Sequence, residues 1–163
     1  MSIQRIPVGS LQANCYLVSK GREVIIIDPG DELEKIEQAI EDKEVVGILV
    51  THHHFDHIGA LDYLLNKNKL VVNDKIKNFS YEILQTPGHS KDSLTFYFPE
   101  ENVMFTGDFL FKGTIGRMDL EGGNEEEMRH SLELIFTYPL NIKIYPGHGE
   151  PSILGEEKKW YTF

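Results

Sequence analysis

Runs of β-branched and aromatic residues alternate with Gly-containing turns at the start of the chain. Residues 3–9, 14–19 and 23–30 read IQRIPVG, NCYLVS and EVIIIDPG, a pattern typical of strands. Residues 45–50, VVGILV, are apolar throughout and predict a strand buried on both faces. Apolar side chains three to four residues apart predict instead a helix near residues 31–42.

The C-terminal part repeats this mixture of strands and helices. A helix beginning near Ile58 separates the two parts, and a longer one is predicted over 125–137, with Asn124 as its N-cap and Glu127 three residues on. Strands with helices interspersed in both halves predict an α/β fold in which two sheets pack face to face with helices outside. The strands of this second block are predicted at 70–72, 81–87, 93–99, 102–108 and 142–149.

Composition favours one domain. The chain has 163 residues, 40% of them hydrophobic, and it contains no linker-like or repeated segment, so a single domain over 1–163 is predicted. No apolar run approaches the ~20 residues that cross a bilayer, and the N-terminus lacks a signal-peptide core. The one cysteine, Cys15, fits a reducing compartment and reads as an inert core thiol. We therefore expect a cytoplasmic protein without a membrane partner.

The net charge of -10 argues against nucleic acid as a partner, because binding to phosphates depends on neutralisation by Lys and Arg. Bound divalent metals would, however, add positive charge locally and reverse the field inside one pocket. The global charge therefore constrains partners more than it constrains a site.

Five of the seven histidines lie in short polar segments that each follow a predicted strand, and the segment TGD places Asp108 in the same context. Sites in α/β proteins are commonly built from loops that follow strand ends. The histidines are His52, His54 and His57 in THHHFDH, His89 in TPGHS and His148 in YPGHG.

A His-x-His pair in extended chain points both imidazoles to one side. His52 and His54 can therefore hold one cation, with His89 as a third nitrogen ligand and a position left open for water, as in catalytic zinc sites. A structural metal site would normally have all its coordination positions filled by protein ligands and be rich in cysteine. The candidate ligands here include no cysteine.

A second set offers one oxygen and two nitrogens, from Asp56, His57 and His148. Asp108 could bridge two ions, which typically lie about 3.5–4 Å apart in such centres. Asp28 ends the run VIIID and is expected to orient a ligand imidazole, with a turn cap as the alternative. His53 and His130 fit no ligand pattern and read as ordinary polar residues.

THHHFDH resembles the H-x-H-x-D-H signature of the metallo-β-lactamase superfamily, and DPG at 28–30, TPGHS, TGD and YPGHG match its other blocks in order. The resemblance implies a four-layer αβ/βα sandwich with metals at one edge between the sheets. The chain looks most like the glyoxalase II group, which implies two metal sites with the ligands divided as above and Asp108 as the bridge.

The same resemblance implies that Arg117 contacts the substrate. The tyrosines of full-length glyoxalase II near Arg117 and His148 are replaced by Asp119 and Glu150, and its C-terminal helical domain has no counterpart. The end of the chain, PGHGEPSILGEEKKW, is instead similar to the short, single-domain members of the group. Even against those, the segment between His57 and His89 is short, so an open pocket is expected.

We therefore expect hydrolysis of a small acidic thioester or related ester by a metal-bound hydroxide, with Asp56 orienting the nucleophile or carrying its proton. One or two divalent ions are expected, zinc first, with iron or manganese as alternatives. Three alternatives stay open: a mononuclear iron persulfide dioxygenase, which shares G-R-x-D (Gly116, Arg117 and Asp119); a lactonase or phosphodiesterase; and a metal-sensing module without turnover. The sequence predicts no particular oligomeric state.

Overall fold

In the computed structural model, which describes residues 1–162, the N-terminal strands form one four-stranded sheet. The first three strands pair antiparallel in chain order, whereas the third and fourth pair parallel. Parallel pairing brings the carboxyl ends of those two strands to the same edge of the sheet. The strands are β1 (Ser2–Val8), β2 (Ala13–Lys20), β3 (Glu23–Ile27) and β4 (Glu44–Leu49).

Two helices complete this first unit, which comprises Met1–Phe79. Helix α1 (Leu33–Ile40) links β3 to β4 and buries Ile36 and Ile40, the stripe that its spacing predicted. It is shorter than predicted because the backbone at both flanking residues, Glu32 and Glu41, has a positive φ. Helix α2 (Leu61–Asn68) follows a 3-10 turn at Phe55–His57.

The predicted strand at 70–72 is wrong. Leu70 donates its backbone N–H to the carbonyl of Leu65, because Lys69, the residue that caps α2, has a left-handed conformation. The side chain of Asn73 takes the place of a strand carbonyl, since its Oδ1 accepts from the Val50 amide at 2.8 Å. The segment therefore closes α2 and contacts the end of β4 through the side chain of Asn73 and through its amide, which donates to the Ile48 carbonyl at 2.9 Å.

The second unit begins at Ser80 and carries a five-stranded sheet of order β11-β10-β7-β6-β5. Its β7 and β10 pair parallel. A separate hairpin of β8 and β9 follows β7 directly and was not predicted. The strands are β5 (Glu82–Gln85), β6 (Leu94–Phe98), β7 (Val103–Gly107), β8 (Leu110–Phe111), β9 (Thr114–Ile115), β10 (Lys143–Pro146) and β11 (Ser152–Ile153).

Helices α3 (Glu125–Ile135) and α4 (Leu154–Lys158) belong to the second unit. The predicted N-cap of α3 is confirmed, because Oδ1 of Asn124 accepts from the Glu127 amide at 2.9 Å. The apolar stripe of α3 packs into the core of this unit. The predicted mixture of strands and helices in both halves of the chain is thus confirmed, and the single-domain boundary stays a prediction.

Cys15 lies in the core of the first unit. Burial raises the pKa of its thiol far above the ordinary value, and the negative charge of Asp28 adds to the shift. The predicted core position of Cys15 is confirmed, and the inertness of its thiol stays a prediction. Within residues 1–162, none of the helices combines the length and the apolarity that crossing a membrane requires. The cytoplasmic location stays a prediction.

Candidate metal centre

The carboxyl ends of the parallel pair β3 and β4 carry the first polar cluster. Asp28 follows β3 with a φ of 54°, a left-handed conformation that Asp tolerates better than most residues. Its carboxylate turns back to Thr51, which follows β4. Oδ1 accepts from the Thr51 amide at 2.7 Å, and Oδ2 accepts from the Thr51 hydroxyl at 2.6 Å.

The same carboxylate orients an imidazole. Oδ2 of Asp28 lies 2.9 Å from Nδ1 of His57, and the side chains are 2% and 0% exposed. A carboxylate only accepts hydrogen bonds, so Nδ1 carries the proton and Nε2 keeps its lone pair for a metal. The predicted contact of Asp28 with an imidazole is confirmed.

Thr51 links Asp28 to a second imidazole, that of His52. Because the Thr51 hydroxyl donates to Asp28, its oxygen is left to accept from Nδ1 of His52, 3.0 Å away. Nε2 of His52 is therefore again the nitrogen suited to a metal. The ring of His52 also lies beside those of His54 and His57, with centroids 4.8 and 4.3 Å away. Donor atoms of Asp28, His52 and His57 all lie within 4.8 Å of one another.

A glycine turn supports the histidine loop. A Cβ on Gly30 would lie 1.9 Å from the carbonyl oxygen of Asp56, so only glycine fits at this approach. The Gly59 amide donates to the Gly30 carbonyl at 2.9 Å. The side chain of Asp56 is held beside its neighbour, with Oδ2 3.4 Å from Nε2 of His57. His53, in the same loop, is exposed, as expected for a residue outside the ligand pattern.

The second unit repeats this arrangement on its own parallel pair. Asp108 follows β7 and His148 follows β10. Oδ2 of Asp108 lies 3.3 Å from Nε2 of His148 and 3.5 Å from Nε2 of His89. One carboxylate oxygen therefore faces two imidazole nitrogens, the relationship that a bridging ligand requires. His130, on α3, is exposed and takes no part in this cluster.

His89 is oriented by the backbone. Its Nδ1 donates to the Arg117 carbonyl at 2.8 Å, since a carbonyl can only accept. The adjacent Gly116 packs against both neighbours, because a Cβ there would lie 1.7 Å from the carbonyl oxygen of Asp108 and 3.1 Å from the Cβ of His89. This role of Arg117 was not predicted, because a main-chain contact does not depend on the type of side chain.

The side chain of Arg117 is engaged elsewhere. Its Nε and one terminal nitrogen lie 2.6 and 2.7 Å from the two carboxylate oxygens of Asp119. This bidentate pair is exposed, and the Arg117 guanidinium lowers the pKa of Asp119 to about 2. The substrate contact expected of Arg117 stays a prediction, and any substrate carboxylate must compete with Asp119.

The donor geometry fits a divalent metal. Nitrogen and oxygen ligands lie about 2.0–2.2 Å from zinc, so two ligands in tetrahedral positions are separated by about 3.2–3.6 Å. The separations within each cluster, 3.3, 3.4 and 3.5 Å, fall in that range. A set of imidazoles and carboxylates without thiolate suits zinc, iron and manganese. The chemistry and spacing of these donors thus permit metal binding.

The sequence pattern of the metallo-beta-lactamase superfamily matches residues 8–72 and 74–148, which include every predicted ligand. A probable metallo-hydrolase of Bacillus subtilis, YqgX, is 36% identical over 96% of this chain and 95% of its own length. A hydroxyacylglutathione hydrolase of Haemophilus influenzae, GloC, is 33% identical over 100% of this chain and 98% of its own. That alignment runs over 208 positions against the 163 residues here, so the relative has segments that this chain does not.

Solved structures agree on the fold. The B3 metallo-beta-lactamase BLEG-1 superimposes with a TM-score of 0.92 at 29% identity, covering 97% of each chain. TTHA1623, solved in a di-iron-bound form, gives a TM-score of 0.86 at 31% identity, covering 96% of this chain and 97% of its own. The expected fold class, the α/β sandwich of metallo-β-lactamases, is confirmed.

Proposed function

The chain belongs to the metallo-beta-lactamase superfamily, and from this premise we propose that it is a metal-dependent hydrolase of thioesters or related esters. The family and the Bacillus relative support the broader description, a metallo-hydrolase. The narrower choice draws support from the Haemophilus hydroxyacylglutathione hydrolase, which this chain matches along nearly the whole length of both proteins.

The observation that carries the proposal is the position of the Asp108 carboxylate, with one oxygen 3.3 Å from His148 and 3.5 Å from His89. An acceptor-only group flanked by two imidazoles at ligand-to-ligand distance is suited to share two cations. One or two divalent ions, zinc first, would be held by seven side chains. These are His52, His54, Asp56, His57, His89, Asp108 and His148.

When bound, such ions supply Lewis acidity and lower the pKa of a water molecule towards about 7. The chain's own residues prepare the ligands for this. Asp28 and Thr51 fix the tautomers of His57 and His52, and the Arg117 carbonyl fixes that of His89. Asp56 is the group that we assign to orient the nucleophile or hold its proton, because it is only partly buried beside His57.

We further propose that the substrate is a small acidic thioester. Two divalent ions facing two carboxylates would leave the centre positive within a protein whose net charge is -10. The exposed guanidinium of Arg117 offers a further positive charge. The backbone carbonyl of the same residue accepts the hydrogen bond from His89, so this charge lies close along the chain to a ligand support. An anionic substrate would therefore be attracted to the centre although the rest of the surface repels it.

The test combines metal analysis with a substrate panel. Purified protein is expected to contain zinc and to hydrolyse a hydroxyacyl thioester of glutathione faster than a lactone, a phosphodiester or a cephalosporin. His52→Ala and Asp108→Ala, with wild-type circular dichroism, should each lose at least ~100-fold in kcat/KM, because each removes a proposed ligand. His53→Ala is the matched control in the same loop and should retain activity.

Three outcomes would contradict the proposal. Folded His52→Ala and Asp108→Ala variants with wild-type thioesterase activity would remove the metal centre from the reaction. Oxygen consumption with glutathione persulfide, at one iron per chain, would assign the protein to the dioxygenase class instead. Full metal occupancy without turnover of any substrate in the panel would indicate a binding module.

A further inference from the structure

A carboxylate outside the proposed ligand set is buried in the second unit. Glu157 lies on α4, near the end of the chain, and is 2% exposed. Its Oε1 accepts from the Gly113 amide at 2.7 Å, and its Oε2 accepts from the Ser152 hydroxyl. A buried carboxylate is costly unless it is hydrogen-bonded, and each of these oxygens has such a partner.

The two partners of Glu157 belong to the chain segments that follow two proposed ligands. Gly113 lies at the turn of the β8–β9 hairpin, which begins just after Asp108. Ser152 opens β11, a few residues after His148. One side chain therefore ties the segment behind Asp108 to the segment behind His148, and those two ligands face each other at 3.3 Å.

The hairpin is also in contact with the cluster. The Phe111 ring lies edge-on to His148, with centroids 6.1 Å apart and planes at 81°. At its other end, the Gly116 amide donates to the Phe109 carbonyl at 3.2 Å. The next residue, Arg117, supplies the carbonyl that orients His89. A displacement of the hairpin would therefore reach all three ligands of this unit.

We propose that Glu157 is a positioning residue for the metal centre, which sets the separation of Asp108 and His148 through Gly113 and Ser152. The inference rests on the proposed function, because it assumes that these two residues bind metal. It goes beyond that function in assigning a role to the C-terminal helix, which contributes no ligand. The predicted consequence is a change in metal affinity in protein that remains folded.

The experiment compares Glu157→Ala with Glu157→Gln in the 163-residue chain. The alanine variant loses both hydrogen bonds and should bind Zn²⁺ 10- to 100-fold more weakly in competition with a chelator, the usual cost of losing support behind a ligand. Its Co²⁺-substituted form should show an altered visible absorption spectrum. The glutamine variant can still accept from Gly113 and can donate to Ser152, so it should remain within a few-fold of wild type.

Two further variants keep the test decisive. Glu156→Ala, on the same helix, removes an exposed carboxylate that pairs with Lys159 and should leave Zn²⁺ affinity and the Co²⁺ spectrum unchanged. Ser152→Ala removes one of the two hydrogen bonds and should weaken Zn²⁺ binding by a smaller factor. This variant tests the inference if Glu157→Ala does not fold.

Wild-type affinity and spectrum in folded Glu157→Ala, or in Ser152→Ala where that variant carries the test, would overturn the inference and leave the proposed function standing. Equal weakening in Glu157→Ala and Glu156→Ala would also overturn it, because loss of surface charge would then suffice. A wild-type protein that binds neither ion would overturn the inference together with the proposed function.

Discussion

The carboxylate of Asp28 lies 2.9 Å from Nδ1 of His57 in the interior of the first unit, and the same oxygen accepts from the hydroxyl of Thr51. Through that hydroxyl it also determines which nitrogen of His52 carries the proton. Asp28, which is not a proposed ligand, thus orients two residues that are, His57 and His52. Carboxylates in this position raise the basicity of a ligating imidazole.

Substitution of Asp28 by asparagine should weaken metal binding. The amide keeps the shape of the side chain and tolerates the left-handed backbone, but it lacks the charge that polarises His57. We expect Zn²⁺ affinity to fall 10- to 100-fold, measured by competition with a chelator. Asp31→Asn, an exposed aspartate in the same loop, is the control, and an equal loss in both variants would contradict the assigned role.

Gly116→Ala should disturb the second cluster through the backbone. The new Cβ would lie 1.7 Å from the Asp108 carbonyl oxygen, so one of the two segments must move. Overpacking of this kind typically costs about 1–3 kcal/mol, and zinc stoichiometry should fall as well. Urea denaturation and elemental analysis measure both effects.

Gly21→Ala is the comparison for that variant, because Gly21 has a positive φ but no atom within 4 Å of its Cβ position. It should cost about 1–2 kcal/mol from backbone strain alone and leave the zinc content unchanged. Normal zinc content in Gly116→Ala would show that the close approach to Asp108 does not position a ligand.

Much of this architecture could be predicted because its signals are local. The run at 23–30 and the segment at 45–50 each contain a strand, and the polar residues that follow them lie where parallel strands end. The strand predicted at 70–72 failed for a tertiary reason, since Leu70 bonds to α2 and Asn73 bonds to Val50. Residue type alone does not disclose such partners.

The hairpin at 110–115 illustrates a missed signal. Lys112 and Gly113 form a two-residue turn between Leu110–Phe111 and Thr114–Ile115, and Gly113 has the positive φ that glycine supplies in such hairpin turns. The role of Glu157 could not be predicted in the same way, because its partners Gly113 and Ser152 are distant in sequence or chemically ordinary. The ligand residues could be predicted because clusters of histidine and aspartate are rare in sequences. The residues that hold these ligands in place could not be predicted, because glycine, serine and glutamate are common and their contacts form only in the folded chain.

Asp119→Asn should improve the use of acidic substrates. The two carboxylate oxygens of Asp119 accept from Nε and one terminal nitrogen of Arg117 and so occupy one edge of its guanidinium, and this pairing lowers the pKa of Asp119 to about 2. Removal of its charge should lower KM for a glutathione thioester about 3- to 10-fold, because charge-assisted pairs with Arg become available. KM for an uncharged thioester should not change.

Glu121→Gln is the control for Asp119→Asn, since it removes an exposed acidic charge two residues away. Equal changes in KM for the two variants would attribute the effect to the general field and not to Arg117. No change in either variant would indicate that Arg117 does not contact the substrate.

Removal of metal should lower the thermal stability. A ligand present at 100 times its Kd stabilises the folded state by about 2.7 kcal/mol, which corresponds to roughly 5–10 °C in Tm for a chain of this size. Differential scanning calorimetry with chelator and with added Zn²⁺ measures the difference. The shift should persist in His53→Ala and shrink in His54→Ala, and equal shifts in both variants would argue against the proposed ligand set.

The central claim is that the seven side chains hold metal, and anomalous diffraction from crystals of the zinc-loaded protein tests it most directly. Data collected at the zinc edge should give one or two peaks, each in contact with His or Asp from this set, with Asp108 beside both when two are present. Peaks elsewhere on the surface, or none in crystals grown with Zn²⁺, would contradict the claim.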